Sequence, residues 1–303
     1  MNWLKWVQYL AYYLSFLLLP MLIWMVTMVV QQPDLVYWWM GLVFTLWFFY
    51  MRFVEPYKIV IRREQVGKRL DDSHLKYPDG VKIALLTDLH LGIFKGERFL
   101  KRVLARLKKD KPDLIILGGD LINDPTDKYL RRMFVDLKSL DVPIVAVTGN
   151  HDAGIPGDYE SVRVRRELEK VGVQTIDNGF RSIKLGKNSL KIFGLSDFSE
   201  GRFDLDVLTG MKRGDFNILI AHNPDMAYYI EKKYPVDLIL SGHTHAGQIY
   251  LPPLSNWLIP CKYKFVRGWY KVKGKAVYVS SGMGEVVLPM RFLIPPEIVM
   301  LEF

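Results

Sequence analysis

Two long runs without charged residues stand at the start of the chain. Between Lys5 and Asp34 lie 28 residues with no Asp, Glu, Lys or Arg, and between Asp34 and Arg52 lie 17 more. A helix needs about 20 apolar residues to cross a bilayer core, with about 17 as the short limit. Polar, turn-forming residues at 31–34 separate the two runs. The pattern predicts a transmembrane helical hairpin over residues 1–54, which would anchor the chain in a phospholipid bilayer.

A cleaved signal peptide is the alternative interpretation of the first run. Its apolar core is longer than that of a signal peptide, no small-x-small cleavage site follows, and a second apolar run comes directly afterwards. The positive charges also bear on orientation, because Lys5 precedes the two runs and several Lys and Arg follow them, whereas the loop between carries neither. The positive-inside tendency therefore predicts that both ends of the hairpin lie in the cytoplasm.

Beyond the hairpin, the pattern predicts a basic juxtamembrane connector and then one α/β domain. Residues 55–80 mix charges without clear periodicity and have room for one edge strand. From residue 81 apolar strands alternate with amphipathic helices, which is typical of a sheet with helices on its faces. Strands are predicted at 81–86, 113–117 and 143–148, and helices at 97–109, 127–140 and 158–171. Later strands are predicted at 173–176, 181–185, 190–193, 216–221, 237–241, 277–281 and 298–301, which completes a domain over 81–303.

Polar side chains follow the carboxyl ends of five of these strands. Of the six histidines, only His74, in the connector, does not follow a strand. The residues at the strand ends are Asp88 and His90, Asp120, Asn150 and His151, His222, and His243 and His245. Because ligands of open α/β sheets bind outside the carboxyl ends of the strands, we expect these side chains to meet in one crevice.

Carboxylates, an amide and imidazoles in one crevice indicate a metal site. Mixed His and carboxylate ligands suit Mn²⁺, Fe or Zn²⁺, and the lack of a nearby thiolate argues against a structural zinc site. Seven ligands are too many for one ion unless one of them bridges two. The Asp88/His90 and His243/His245 pairs each place residues i and i+2 on the same side of an extended segment. Two such pairs and a bridging carboxylate predict a two-metal site of the kind that serves phosphoryl transfer.

The order of these motifs resembles that of the calcineurin-like metallophosphoesterases. Asp-x-His, Gly-Asp, Gly-Asn-His-Asp, His and Gly-His-x-His all stand in order between residues 81 and 245. The resemblance implies a four-layer αββα sandwich and two divalent metal ions, for which we favour Mn²⁺ with Fe or Zn as alternatives. The implied ligands are Asp88, His90 and His245 for one metal, Asn150, His222 and His243 for the other, and Asp120 as the bridge. His151 is implied as the catalytic residue that contacts the phosphate and protonates the leaving oxygen, and Asp152 would orient His151 or a loop donor.

The hairpin and the sequences around His222, His245 and residues 282–297 resemble a membrane-associated bacterial branch of this superfamily. That branch includes the chlamydial-type UDP-2,3-diacylglucosamine pyrophosphatase of lipid A synthesis. The resemblance implies hydrolysis of this lipid-linked nucleotide substrate to lipid X and UMP at the cytoplasmic face of a bacterial inner membrane. A phosphodiesterase that acts on another lipid-linked envelope intermediate is the alternative, and a non-catalytic scaffold is a third interpretation. No Arg pair precedes the first apolar run, which argues against twin-arginine export.

Several basic residues are candidates for substrate binding. Lys262 and Arg267 lie in an apolar, Pro-interrupted stretch, 251–270, that could insert into the membrane interface or pack as a surface loop. Arg163 and Arg166 could hold a phosphate, although we favour a solvated helix face as their explanation. For Arg291, outside the metal motifs, a sheet-edge salt bridge is an equally good explanation.

The composition adds two further expectations. A net charge of +9 suits an anionic leaflet. It also permits nucleic-acid binding, but no base-reading module is present, so we expect neither a nucleic-acid partner nor an obligate protein partner. Cys261 is the single cysteine, so an intramolecular disulfide is impossible and a reducing compartment is allowed.

Overall fold

A computed structural model describes residues 3–70, 78–123, 127–153, 159–198, 201–251 and 259–303. The α-helices in these ranges are α1 (Trp3–Leu14), α2 (Leu18–Gln31), α3 (Val36–Phe49), α4 (Glu97–Asp110), α5 (Asp127–Phe134), α6 (Asn150–Ala153) and α7 (Tyr159–Glu169). The strands are β1 (Val60–Gln65), β2 (Lys82–Leu86), β3 (Leu91–Gly92), β4 (Leu114–Gly118), β5 (Ile122–Asn123), β6 (Ile144–Val147), β7 (Gln174–Thr175), β8 (Gly179–Leu185), β9 (Asn188–Gly194), β10 (Asn217–Ile220), β11 (Leu238–Ser241), β12 (Gly268–Val272), β13 (Lys275–Val279) and β14 (Glu297–Glu302).

The N-terminal segment is one long apolar helix followed by a shorter one. α1, a 3-10 turn at Ser15–Leu17 and α2 together make a helix of 29 residues, Trp3–Gln31. Within the described residues it is the one helix that is long and apolar enough to cross a membrane. α3 contacts α2 but has 14 residues before a π-helical turn at Tyr50–Val54. The structure supports membrane association through the first apolar run, and the second span of the hairpin stays a prediction.

Two six-stranded sheets and a small parallel pair, β3-β5, follow the N-terminal helices. The first has the strand order β1-β14-β2-β4-β6-β7, and the second has the order β12-β13-β11-β10-β9-β8. The strand pattern alone placed all strands in one sheet, which is wrong, since the strands after residue 172 build the second sheet and only β7 and β14 join the first. β14 pairs antiparallel with β2 and parallel with β1, so the predicted edge strand in the connector is confirmed.

The alternation of side chains along the strands explains why the sheets pack face to face. In β2, Ile83 and Leu85 point into an apolar core that also contains Ile218 and Ile220 of β10. Their neighbours Ala84 and Leu86 point the other way, into a second core beneath the helices. Because successive strand residues face opposite sides, strands that are apolar throughout are buried on both faces. The uninterrupted apolar runs in the sequence are a consequence of this double burial.

The outer layers of the sandwich differ from each other. α4 buries Phe99, Leu100, Val103, Leu104 and Leu107, spaced along one helical face, against the first sheet. On the outer face of the second sheet, the apolar cluster is covered by 3-10 helices at Leu205–Gly210 and Pro224–Tyr228. Within the described residues, the fourth layer of the expected αββα sandwich is therefore built from 3-10 turns.

Two further sequence predictions need correction. The helix predicted at 127–140 ends as an α-helix at Phe134 and continues as a 3-10 helix, Val135–Ser139. The stretch 251–270, predicted to be a loop, contains the start of β12, which pairs antiparallel with β13. Residues 252–258 of that stretch, and His74, lie outside the described residues.

Candidate metal centre

The polar residues that follow the strands meet in two adjoining groups. Ligand atoms of Asp88, His90 and His245 all lie within 4.8 Å of one another, and the same holds for Asp120, His222 and His243. Asn150 joins the second group, because its Oδ1 atom lies 2.9 Å from His243 Nδ1. The structure thus brings the seven predicted ligands together. Their division into two groups is compatible with the two-metal centre that the resemblance implies, and the assignment of each ligand to a metal stays a prediction.

Asp120 lies between the two groups. Its Oδ2 atom is 3.5 Å from His90 Nε2 in the first group and 3.2 Å from His222 Nε2 in the second. Its Oδ1 atom accepts a hydrogen bond of 2.8 Å from the backbone N–H of His151. This is the position that a carboxylate bridging two cations would occupy.

Hydrogen bonds orient the imidazole rings of the second group. His222 Nδ1 lies 2.8 Å from the carbonyl oxygen of Gly118, so this nitrogen donates and Nε2 is the nitrogen that faces Asp120. His243 uses Nε2 for the carbonyl oxygen of Pro260, 3.1 Å away, which leaves Nδ1 facing Asn150. Backbone carbonyls that bind the outer nitrogen of a histidine fix the tautomer that ligates a metal.

The first group also fits a cation. His90 Nε2 and His245 Nε2 lie only 3.1 Å apart, with Asp88 Oδ1 3.4 Å from His245 Nε2. Burial lowers the pKa values of both histidines well below their usual value, so both rings are neutral. The two neutral nitrogens and the Asp88 carboxylate converge on one point. A divalent cation at that point would accept the lone pairs of all three groups. In the second group, the buried Nε2 of His222 lies 3.2 Å from Asp120 Oδ2, where a cation would bind both atoms.

Electrostatics supports the same arrangement. Burial opposes a charge on His222, but Asp120 and then Asp88 raise its pKa well above the usual value. Burial also raises the pKa of Asp88 to about 6. A proton on His222 and a cation between the carboxylates are alternative ways of neutralising the same negative charge.

The backbone at the ligands is held in an unusual conformation. Residues other than glycine with positive φ include Asp88 at 51°, His90 at 43°, Asp120 at 53°, His243 at 70° and His245 at 48°. Such left-handed residues are uncommon, and they are concentrated at functional sites where the surrounding structure enforces them. The chain therefore turns sharply after β2, β4 and β11, next to the ligand side chains that follow these strands.

Two glycines allow the close approach of backbone to ligand. A Cβ atom on Gly149 would collide with the Asp120 carboxylate and would lie 2.8 Å from the His222 ring. A Cβ atom on Gly284 would lie 2.7 Å from the Cβ atom of His90. No side chain can be added at either position without displacing a ligand.

His151 and Asp152 have different roles beside the centre. The His151 ring is half-buried and packs edge-on against the His90 ring, with centroids 4.8 Å apart. Asp152 is buried, and its Oδ1 accepts hydrogen bonds from the backbone N–H groups of Leu121 and Ile122 at 2.9 and 3.0 Å. Its Oδ2 accepts another from Gly149 at 2.9 Å. Of the two roles considered for Asp152, the structure shows the orientation of loop donors.

A pocket of about 500 Å³ opens directly onto the centre. Its lining includes the polar residues Asp120, Asn150, His151, His243 and His245. It also includes the apolar residues Ile249, Pro260, Val286, Val287 and Leu288. Ligand pockets commonly combine a few convergent polar groups with apolar walls.

The four predicted substrate residues are not among the described residues that line this pocket. Arg163 is half-buried and Arg166 exposed on α7. Lys262 is exposed with its ammonium 5.3 Å from the Tyr263 ring, and Arg267 is exposed just before β12. Their proposed contact with substrate stays a prediction.

Arg291 does not form the sheet-edge salt bridge that the sequence suggested. Its side chain is fully buried and donates hydrogen bonds to the carbonyl oxygens of Ser281, Gly284 and Ile294. Its guanidinium also lies 3.8 Å from Glu285. Arg291 therefore holds together the segment that contributes to the apolar lining of the pocket.

Two residues that organise the site were missed by the sequence analysis. The carboxylate of Asp225 accepts hydrogen bonds from Cys261, Lys262 and Tyr263, which places Pro260 against His243. The side chain of Gln248 bonds to the backbone of Val286 and Leu288. Both residues stand beside sequence motifs, but their partners are distant along the chain and no spacing rule reveals them.

Comparison with known proteins agrees with this geometry. The family model described as calcineurin-like phosphoesterase matches residues 81–247. A Bacillus subtilis protein named uncharacterized metallophosphoesterase YkuE is 33% identical over 255 residues, with 82% of this chain and 87% of that protein covered.

Two other relatives carry more descriptive names. Phosphodiesterase YaeI of Escherichia coli is 27% identical, with 84% of this chain and 92% of that protein covered. A Danio rerio protein named transmembrane protein with metallophosphoesterase domain is 29% identical, with 73% of this chain but only 52% of that protein covered.

Proposed function

Because this chain belongs to the calcineurin-like phosphoesterase family and is a metal-dependent hydrolase, we propose that it hydrolyses a lipid-linked phosphodiester or pyrophosphate at a membrane surface. The observation that carries the proposal is the juxtaposition of two ligand groups that share Asp120 with a pocket whose lining also includes five apolar residues. The first part accounts for the phosphoryl chemistry, and the second accounts for a lipid substituent.

In this proposal seven residues hold two divalent cations, for which we favour Mn²⁺ with Fe or Zn as alternatives. The ligands are Asp88, His90 and His245 for one ion, Asn150, His222 and His243 for the other, and Asp120 for both. The bound cations would supply Lewis-acid activation of water and neutralisation of charge on the phosphoryl oxygens.

The residues around the ions orient the substrate and move the proton. His151 stands at the pocket beside His90, where its ring can approach a phosphoryl group and protonate the departing oxygen as a general acid. Asp152 keeps the backbone of Gly149, next to Asn150, and of Leu121, next to Asp120, at fixed distances. It therefore maintains the separation between ligands that a two-metal site requires.

The most specific form of the proposal is hydrolysis of UDP-2,3-diacylglucosamine to lipid X and UMP. Support comes from the apolar helix Trp3–Gln31, the basic connector that follows the second apolar run, and the apolar residues that line the pocket. We propose that residues 1–54 form a helical hairpin that anchors the chain in a bacterial inner membrane. Residues 55–80 then connect this hairpin to the domain 81–303, which faces the cytoplasm. The bilayer is then its one obligatory partner.

The alternative is a phosphodiesterase that acts on another lipid-linked envelope intermediate. It uses the same ligands and the same pocket, and the name of the Escherichia coli relative is compatible with it. A non-catalytic scaffold that keeps the sandwich is the third interpretation, and the complete ligand set disfavours it.

One experiment separates these functions. The full chain, purified in detergent and loaded with Mn²⁺, is incubated with UDP-2,3-diacylglucosamine and assayed for UMP, with bis-p-nitrophenyl phosphate as a parallel substrate. Release of UMP supports the specific proposal. Hydrolysis of the model diester without UMP release overturns the lipid A substrate and leaves the alternative. Failure to hydrolyse either substrate at full metal content overturns the enzymatic proposal.

A further inference from the structure

Part of the apolar lining of the pocket is a short segment in a strained conformation. Val287 has φ of 63°, in the left-handed region. A β-branched residue there is a genuine outlier, since its branched side chain crowds the backbone. Strain of this kind persists only where neighbouring groups enforce it, and it is concentrated at ligand-binding and catalytic sites.

The side chain of Gln248 enforces this conformation. Its Oε1 atom accepts a hydrogen bond of 2.8 Å from the backbone N–H of Val286, and its Nε2 atom donates one of 2.8 Å to the carbonyl oxygen of Leu288. The two hydrogen bonds hold the backbone on either side of Val287, and we call this pair of bonds the Gln248 clasp. Gln248 is buried and lies three residues after the metal-group residue His245, so the clasp connects the apolar segment to the metal centre.

The same segment continues into contacts with the end of the N-terminal helices. The backbone N–H of Arg291 donates to the carbonyl oxygen of Met51 at 2.9 Å. The ring of Phe292 packs edge-on against the ring of Trp47 in α3, with centroids 5.4 Å apart. Leu288 is 41% exposed and Leu293 is 56% exposed. The segment that lines the metal pocket therefore also contacts the end of the apolar helices.

We propose that Val286, Val287 and Leu288 bind the hydrocarbon substituent of a phosphodiester whose phosphorus lies at the metal groups. The inference rests on the proposed phosphoesterase function and names the part of the substrate that this part of the pocket recognises. A hydrocarbon chain fits because Ile249 and Pro260 also line the pocket, so that five apolar residues stand beside the metal groups. The contact of the same segment with α3 places it next to the apolar helices.

The proposal makes alkyl length the measured variable. The Mn²⁺-loaded full chain is assayed with p-nitrophenyl alkyl phosphates of short and long alkyl chain, both below their micelle concentrations and in the same detergent. We expect the ratio of kcat/KM for the long substrate to that for the short one to exceed about tenfold, because each methylene buried on the wall favours binding. A wild-type ratio near one, with both diesters hydrolysed, overturns this inference and leaves the phosphoesterase function intact. If neither diester is hydrolysed, the proposed function fails as well.

Val287→Asn tests the wall directly. Asparagine tolerates the left-handed conformation, so the variant relieves strain while it removes the apolar surface. We expect the chain-length ratio to collapse towards one, with no fall in Tm and no loss of bound metal. The matched control is Val135→Asn, which changes a 46% exposed valine on a 3-10 helix outside the pocket and should keep the wild-type ratio. An unchanged ratio in Val287→Asn, or an equal fall in Val135→Asn, would refute the assignment.

Discussion

At the scale of single residues, Asp120 is the side chain on which both metal groups depend. One carboxylate oxygen lies 3.5 Å from His90 Nε2 and 3.2 Å from His222 Nε2, and the other accepts the backbone N–H of His151. Its pKa is held well below the usual value, since the attraction of His222 and His151 outweighs the opposing effect of burial. The carboxylate is therefore charged when the cations bind.

Replacing this carboxylate by an isosteric amide removes the charge and keeps the shape. We expect Asp120→Asn to lower turnover of bis-p-nitrophenyl phosphate by more than the about 10–100-fold that loss of an outer-shell partner costs. Circular dichroism should remain that of the wild type. Turnover and metal content per chain are measured together. Full metal content with wild-type turnover would show that Asp120 does not bridge.

At the scale of elements, the loop before Arg291 packs closely against the segment that follows β2, which includes Asp88 and His90. A Cβ atom on Gly284 would meet the carbonyl oxygen of Leu89 at 2.5 Å and His90 Cβ at 2.7 Å. Gly284→Ala should displace His90 and reduce both bound metal and activity at least tenfold. Gly67→Ala is the control, because a Cβ at Gly67 meets nothing within 4 Å. Equal metal content in the two variants would contradict the argument.

A buried ion pair lies behind the same loop. Lys95 Nζ is 3.1 Å from Glu285 Oε1 and donates to the carbonyl oxygen of Pro56, and both side chains are almost fully buried. Burial lowers the pKa of Lys95 from 10.5 to about 8, although Glu285 opposes the shift. Between these two values the unfolded chain binds more protons than the folded chain, so the free energy of unfolding rises with pH.

This behaviour can be measured against a variant that lacks the pair. We expect the wild-type free energy of unfolding in detergent to increase from pH 8 to 10.5 relative to that of Lys95→Met/Glu285→Gln, by at most about 3 kcal/mol. Equilibrium denaturation at a series of pH values gives the difference. Parallel curves for the two proteins would show that Lys95 titrates normally in the fold.

At the scale of the whole molecule, the end of the N-terminal segment packs against the segment that lines the pocket. Met51 and Arg52 are each 3% exposed, and the Met51 carbonyl accepts the backbone N–H of Arg291. The predicted boundary between residues 54 and 55 therefore passes through a packed region. The apolar helices are attached to the pocket wall as well as to the connector.

Truncation tests that attachment. A chain that begins at residue 55 leaves the N–H of Arg291 without its acceptor, which costs about 1–3 kcal/mol for a buried group, so its Tm should fall. A chain that begins at residue 36 keeps α3 and Met51 and is the matched control for loss of the first apolar run. Thermal unfolding in detergent compares the two. Equal Tm values would mean that the contact through Met51 contributes nothing.

The sequence by itself determined the long apolar strands, the family and the polar residues that meet at the strand ends. The strands can be predicted because a strand that is buried on both faces is apolar throughout. The residues of the centre can be predicted because Asp, Asn and His are side chains that bind metals. Tertiary structure decided the division of strands between two sheets, the 3-10 layer, the burial of Arg291 and the clasp of Gln248 on Val287. These features depend on contacts between residues far apart in the chain, and the conformation of Val287 opposes its own local preference. Only the packed fold can impose such a conformation.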